Sequence, residues 1–130
     1  MNDLGLDDYQ ERVGKWCLDT FGVGIATNRQ ERALRILEEA MELAQVEEID
    51  MAMCFHLALR VWSRPKGDPG QEVSGVGVTL LAYCAAADID FERELELEIL
   101  RIERPEIQEA IRKKQHEKRL AGVSAVKESV

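Results

Sequence analysis

Apolar residues recur every three or four positions along most of this chain, the spacing that lines one face of an α-helix. The pattern predicts six helices. The first covers roughly 6–21 and stops at the glycines of "FGVG". The second starts at Asn28, whose side chain can cap it, with Glu31 three residues on to complete a capping-box pattern, and runs to about Val46. The third, "DMAMCFHLALRVW", follows a capping Asp50 and ends ahead of Pro65. "SRPKGDPGQ" is the clear loop, with two prolines and two glycines. The fourth helix spans roughly 71–87, Asp90 caps a fifth, "FERELELEILRIE", and Pro105 suits the first turn of a sixth that reaches about Leu120. Strand pairs, hairpin turns and repeats are missing from the pattern. The fold class is therefore all-α: a helical bundle of about five to six helices in a single domain over 1–120, with 121–130 a flexible tail.

Two helices are short of polar positions. The fourth is apolar nearly all round and should be buried on most sides. Gly75 and Gly77 within it each cost about 1 kcal/mol of helix propensity relative to Ala, so something close by should need the space. One chain of this size is expected to leave such a helix partly uncovered, which predicts a homodimer or homotetramer.

Placed on a wheel at about 100° per residue, the second helix carries its alanines, leucines, Ile36 and Met41 on one half. Glu31, Arg35, Glu39 and Glu42 fall on the other, and Glu38 lies at the edge of the apolar arc. Glu39 and Glu42 are one turn apart and can reach one ion together. A solvated acidic face is the ordinary explanation of such a group. Against it, Glu38 and Glu42 repel each other at i,i+4, and Arg32 and Arg35 upstream offset only part of this. Mg²⁺ would relieve the repulsion, because it prefers oxygen ligands completed by waters and phosphates. Glu72, the acid at the head of the apolar fourth helix, is either a favourable charge at a helix N-terminus or a further ligand.

Composition narrows the classes. The 130 residues are 45% hydrophobic and carry a net charge of −8. An acidic chain is a poor general DNA or RNA binder, although a divalent cation can reverse local charge for a phosphorylated ligand. Cys17, Cys54 and Cys84 are far apart, lack metal-ligand spacing and read as reduced core thiols of a cytoplasmic protein. The acidic start "MNDLGLDDYQ" does not read as a signal peptide, and the longest charge-free run, Val73 to Ala87, is 15 residues, short of the roughly 20 a membrane span needs. His56, within an apolar helix, reads as a hydrogen-bonded core histidine. Trp16, Trp62 and Tyr83 read as core or interface aromatics. An ExxH motif, a GxxxxGK[ST] loop and a nucleophile elbow are missing.

Within this frame the chain resembles a family. "LEEAMELAQ" fits the EExxE motif of the MazG-like all-α nucleotide pyrophosphohydrolases, a superfamily that includes phosphoribosyl-ATP pyrophosphohydrolase. "QEVSGVGVTLLAYCAAADIDFERELELEI" is similar to their second motif, an ExxD helix followed by an apolar run and a short turn. The likeness covers about 28–119 and is nearest to a branch whose second motif reads "QEVGGV". It implies Mg²⁺, with Mn²⁺ as the alternative ion, held by Glu39, Glu42 and Glu72. The fourth ligand position is Gly75, which has no side chain, and this is the chain's central departure from the family.

The implied reaction is hydrolysis of a (d)NTP or related nucleotide between the α and β phosphates, releasing a monophosphate and pyrophosphate. Metal ions would neutralise phosphate charge and acidify a water, and Glu38 by position would take its proton. Arg64 and Lys66 in the loop before Glu72, and Lys113 and Lys114 within "RKKQHEKR", are the expected phosphate contacts. The competing expectations are a nucleotide- or protein-binding bundle impaired in catalysis by Gly75, and a structural helical oligomer with no ligand.

Overall fold

The computed structural model describes residues 5–126. Among these it is all-helical: α1 Leu6–Phe21, α2 Val23–Ala26, α3 Arg29–Val46, α4 Met51–Trp62, α5 Pro69–Ala87, α6 Phe91–Ile102 and α7 Pro105–Leu120. Local chemistry sets the boundaries. Asn28 Oδ1 accepts the Glu31 amide at 3.0 Å, Asp50 Oδ1 the Met53 amide at 2.8 Å and Asp90 Oδ1 the Arg93 amide at 3.1 Å. Each satisfies an N–H that a helix start leaves unpaired. Pro105 stands in the first turn of α7, as its fixed φ favours. α5 begins two residues ahead of the sequence expectation, because Asp68 caps the Gln71 amide and Pro69 enters the first turn. The additional helix, α2, is a single turn that starts after Gly22 and contains Gly24.

The chain divides into two compact units, 1–40 with 99–130, and 41–98. In the first, Tyr9, Cys17 and Thr20 on α1 are buried together with Glu31, Ile99 and Gln115. Side chains tie the ends of these helices to one another. Trp16 Nε1 donates to the Ile102 carbonyl at 2.7 Å, and its ring meets Phe21 edge-on with centroids 5.7 Å apart. Arg12 forks onto Glu103, at 2.9 and 2.7 Å. Arg112 Nε donates to the Thr20 carbonyl at 2.7 Å and Gln108 Nε2 to Thr20 Oγ1 at 3.2 Å, serving groups left open at the end of α1.

Glu31 departs from the solvated half-wheel the sequence assigns it. Its amide keeps the cap with Asn28, but its side chain is fully buried. The carboxylate accepts Gln115 Nε2 at 2.9 Å, Ser124 Oγ at 2.8 Å and the Ala125 amide at 2.7 Å, and pairs with Arg35 at 3.3 Å. Arg35 also donates to the Val123 carbonyl. The described part of the expected tail, 121–126, is thus joined to α3 by hydrogen bonds.

The second unit holds the end of α3, α4, α5 and most of α6. Glu48 (φ 61°) and Asp88 (φ 56°) adopt the left-handed conformation that closes α3 and α5. Tyr83 donates to Glu47 at 3.0 Å. Cys84 is the buried residue of α5, and α4 has none. The expectation that α5 is buried on most sides is therefore corrected, as is the core placement of His56, which is exposed on α4. The reason is common to both: among the described residues of this unit, no element covers most of either helix.

Candidate functional site

The two acidic motifs stand on the helices foreseen for them. Glu38 and Glu39 are adjacent on α3 and Glu42 follows about one turn later, with Glu39 and Glu42 exposed. Glu72 is exposed in the first turn of α5, and its carboxylate lies against Gly67, where a side chain would collide with it. Gly75, one turn further, has nothing within 4 Å of a built Cβ, so an acid there has room.

Glu38 is the member whose surroundings are most specific. Its Oε1 accepts Lys118 Nζ at 2.8 Å and Arg35 Nη1 at 3.2 Å. The Lys118 hydrogen bond, together with the charges of Lys118 and Arg35, outweighs partial burial and holds the carboxyl below the usual carboxylate range. Among the basic residues the sequence singles out, Lys113 and Lys114 are exposed on α7 and Arg64 and Lys66 are exposed in the loop before α5. Within "RKKQHEKR" the basic Lys118 reaches Glu38 of α3, as the neutral Gln115 reaches Glu31. Its signal was spacing: Ile111, Gln115 and Lys118 recur at i, i+4, i+7 and form the inward stripe of α7.

The donor set, carboxylate oxygens alone, fits Mg²⁺ chemically. Among the described residues, however, no three His, Cys, Asp or Glu side chains are gathered for a metal. Glu39 and Glu42 form a pair on one turn, and such a pair, with waters and substrate phosphates, is a common way of holding Mg²⁺.

Sequence reasoning also missed Arg32. Its guanidinium sits 5.0 Å over the Phe21 ring and donates to Cys17 Sγ at 3.3 Å, while Nε and Nη2 are buried without a hydrogen-bond partner among the described residues. Burial pushes the Cys17 thiol up, against the opposing charge of Arg32, so the thiol is protonated and inert at neutral pH. Arg32 and Cys17 border an open, mainly apolar depression of about 430 Å³ beside Val13 and Leu18, and none of the nominated glutamates lines it. Among the described residues no single helix is long and apolar enough to cross a membrane. Protein-family models, characterised proteins and solved structures yield no match to this chain.

Proposed function

We infer that this chain is a Mg²⁺-dependent nucleotide pyrophosphohydrolase of the MazG-like kind, which cleaves a (d)NTP or related nucleotide between the α and β phosphates. The observation that carries the reading is the pairing of "LEEAMELAQ", with Glu39 and Glu42 exposed one turn apart on α3, and "QEVSG", with Glu72 exposed in the first turn of α5. Glu39, Glu42 and Glu72 are the residues that would hold the ion, which when bound neutralises phosphate charge and acidifies a water. Exposed Lys113, Lys114, Arg64 and Lys66 supply cations for phosphate oxygens. Glu38, kept ionised by Lys118 and Arg35, takes the proton of the attacking water. A carboxylate held this acidic is a modest base, so its removal is expected to cost about 10²-fold in rate. The acceptor is a water and the products are a nucleoside monophosphate and pyrophosphate. A cytoplasmic setting, where Mg²⁺ and nucleotides are abundant and thiols stay reduced, suits the reading.

The test is pyrophosphate release from a panel of NTPs and dNTPs with Mg²⁺ or Mn²⁺. Release by the wild type, lost in Glu39→Gln and raised by Gly75→Asp, is the expected result; Gly75→Asp has steric room. A second reading, a nucleotide- or protein-binding bundle without turnover, is favoured by Gly75 itself. Silence of the wild type on every nucleotide, with activity appearing in Gly75→Asp, would establish that reading instead.

A further inference from the structure

We propose that α4 is a self-pairing surface, on which a second copy of this chain docks antiparallel about a two-fold axis centred near Leu57. The most exposed large apolar side chains of α4 are Met51 (82%), Trp62 (78%), Phe55 (68%) and Leu59 (63%). At about 100° per residue they fall within roughly 80° of one another, one continuous stripe along the helix. Two aromatic and two aliphatic side chains so displayed present on the order of 600 Å² of apolar surface. The stripe approaches the roughly 800 Å² each partner contributes to a standard interface. A lone soluble chain rarely leaves so large a patch open.

The stripe matches itself when reversed. In an antiparallel pair Met51 of one copy meets Trp62 of the other, and Phe55 meets Leu59, each large side chain facing a smaller one. This is the reciprocity a two-fold interface requires. The charges at the two ends also match. Glu47, Glu48 and Asp50 precede α4, and Arg64 and Lys66 follow it, so reversal brings the acids of one copy to the bases of the other. The segment 51–87 holds three basic residues and two acidic ones, a net of +1, within a chain of −8. An acidic second copy therefore meets its least repulsive face here. An anionic lipid surface is disfavoured, because the patch is bordered by acids at one end of each helix, among them Asp50 and Asp88. Gly75 and Gly77 on α5, with no other described element within 4 Å of where a Cβ would stand, leave space for close approach from outside.

The experiment is sedimentation equilibrium on the full chain from about 1 to 100 µM, with circular dichroism as the check on folding. The wild type is expected to be dimeric. Phe55→Lys and Leu59→Glu, both at exposed positions, should each keep the helical signal and weaken association at least about thirtyfold. Mixed in equal parts, the two variants should recover dimer mass, since reversal sets one substitution against the other. A monomeric wild type at 100 µM overturns the proposal, whether it then binds anionic vesicles, another protein or nothing. Dimers unchanged by either substitution, or variants that fail to complement on mixing, overturn it equally. None of these readouts depends on nucleotide hydrolysis.

Discussion

Glu31 shows how much one carboxylate can decide. Burial alone would push its acidity toward the neutral form. Donation from Gln115, Ala125 and Ser124, with the charge of Arg35, outweighs that and holds it below its ordinary value. A group whose folded value is lowered adds stability above its unfolded value, about 4.3, and loses that contribution as pH falls through the folded value. Glu31→Gln is therefore expected to cost about 2–3 kcal/mol at pH 7, because an amide meets donors placed for an acceptor and leaves Arg35 without its buried partner. The gap should narrow at pH 3.5. Urea midpoints for both proteins at the two pH values check this, and an equal gap at both would show that Glu31 is not buried as an anion. Glu31 was legible in the sequence only as a cap, because the hydrogen-bond donors to its carboxylate are 84 to 94 residues away and no periodicity reports them.

At the scale of elements, the chain was readable wherever local chemistry is strong. Asn28, Asp50, Asp90 and Pro105 set helix starts close to where the pattern places them, since a cap is satisfied within three residues. What local pattern could not report is which apolar face finds a partner: α5 is as apolar as a core helix, yet the structure buries little of it besides Cys84. The candidate site divides in the same way. The turn-spaced Glu39 and Glu42 follow from helical geometry, whereas the pairing of Lys118 with Glu38 spans 80 residues. Helix ends give a prediction of their own. Glu48 closes α3 at φ 61°, a conformation that costs a non-glycine residue about 1 kcal/mol. Glu48→Gly should stabilise the second unit by about 0.5–1 kcal/mol, read as a raised thermal midpoint. An unchanged or lowered midpoint would mean that the Glu48 side chain contributes more than its backbone strain costs.

Across the whole molecule, charge and apolar surface are distributed unequally between the units. The first holds thirteen basic and thirteen acidic residues; the second holds four basic and twelve acidic, so the entire −8 belongs to residues 41–98. That second unit also contains α4 and α5, whose apolar side chains stand open. Self-repulsion and an uncovered apolar face both destabilise it in isolation, so its helices should be held largely by what covers them. Amide exchange at about 1 and 100 µM tests this directly. Under two-fold pairing through α4, dilution should speed exchange along α4, and along α5 where the second copy reaches it. Amides of α1 and α7, held by Trp16, Arg12 and Arg112 within the first unit, should keep their protection at both concentrations, because their stabilising contacts lie inside one chain. Exchange of α4 that is fast and equal at both concentrations would mean that the face stays open and a second copy is not its occupant. Slow and equal exchange would mean that α4 is covered at both concentrations, by a dimer still intact at about 1 µM or by an element of the chain itself, and the sedimentation mass separates the two.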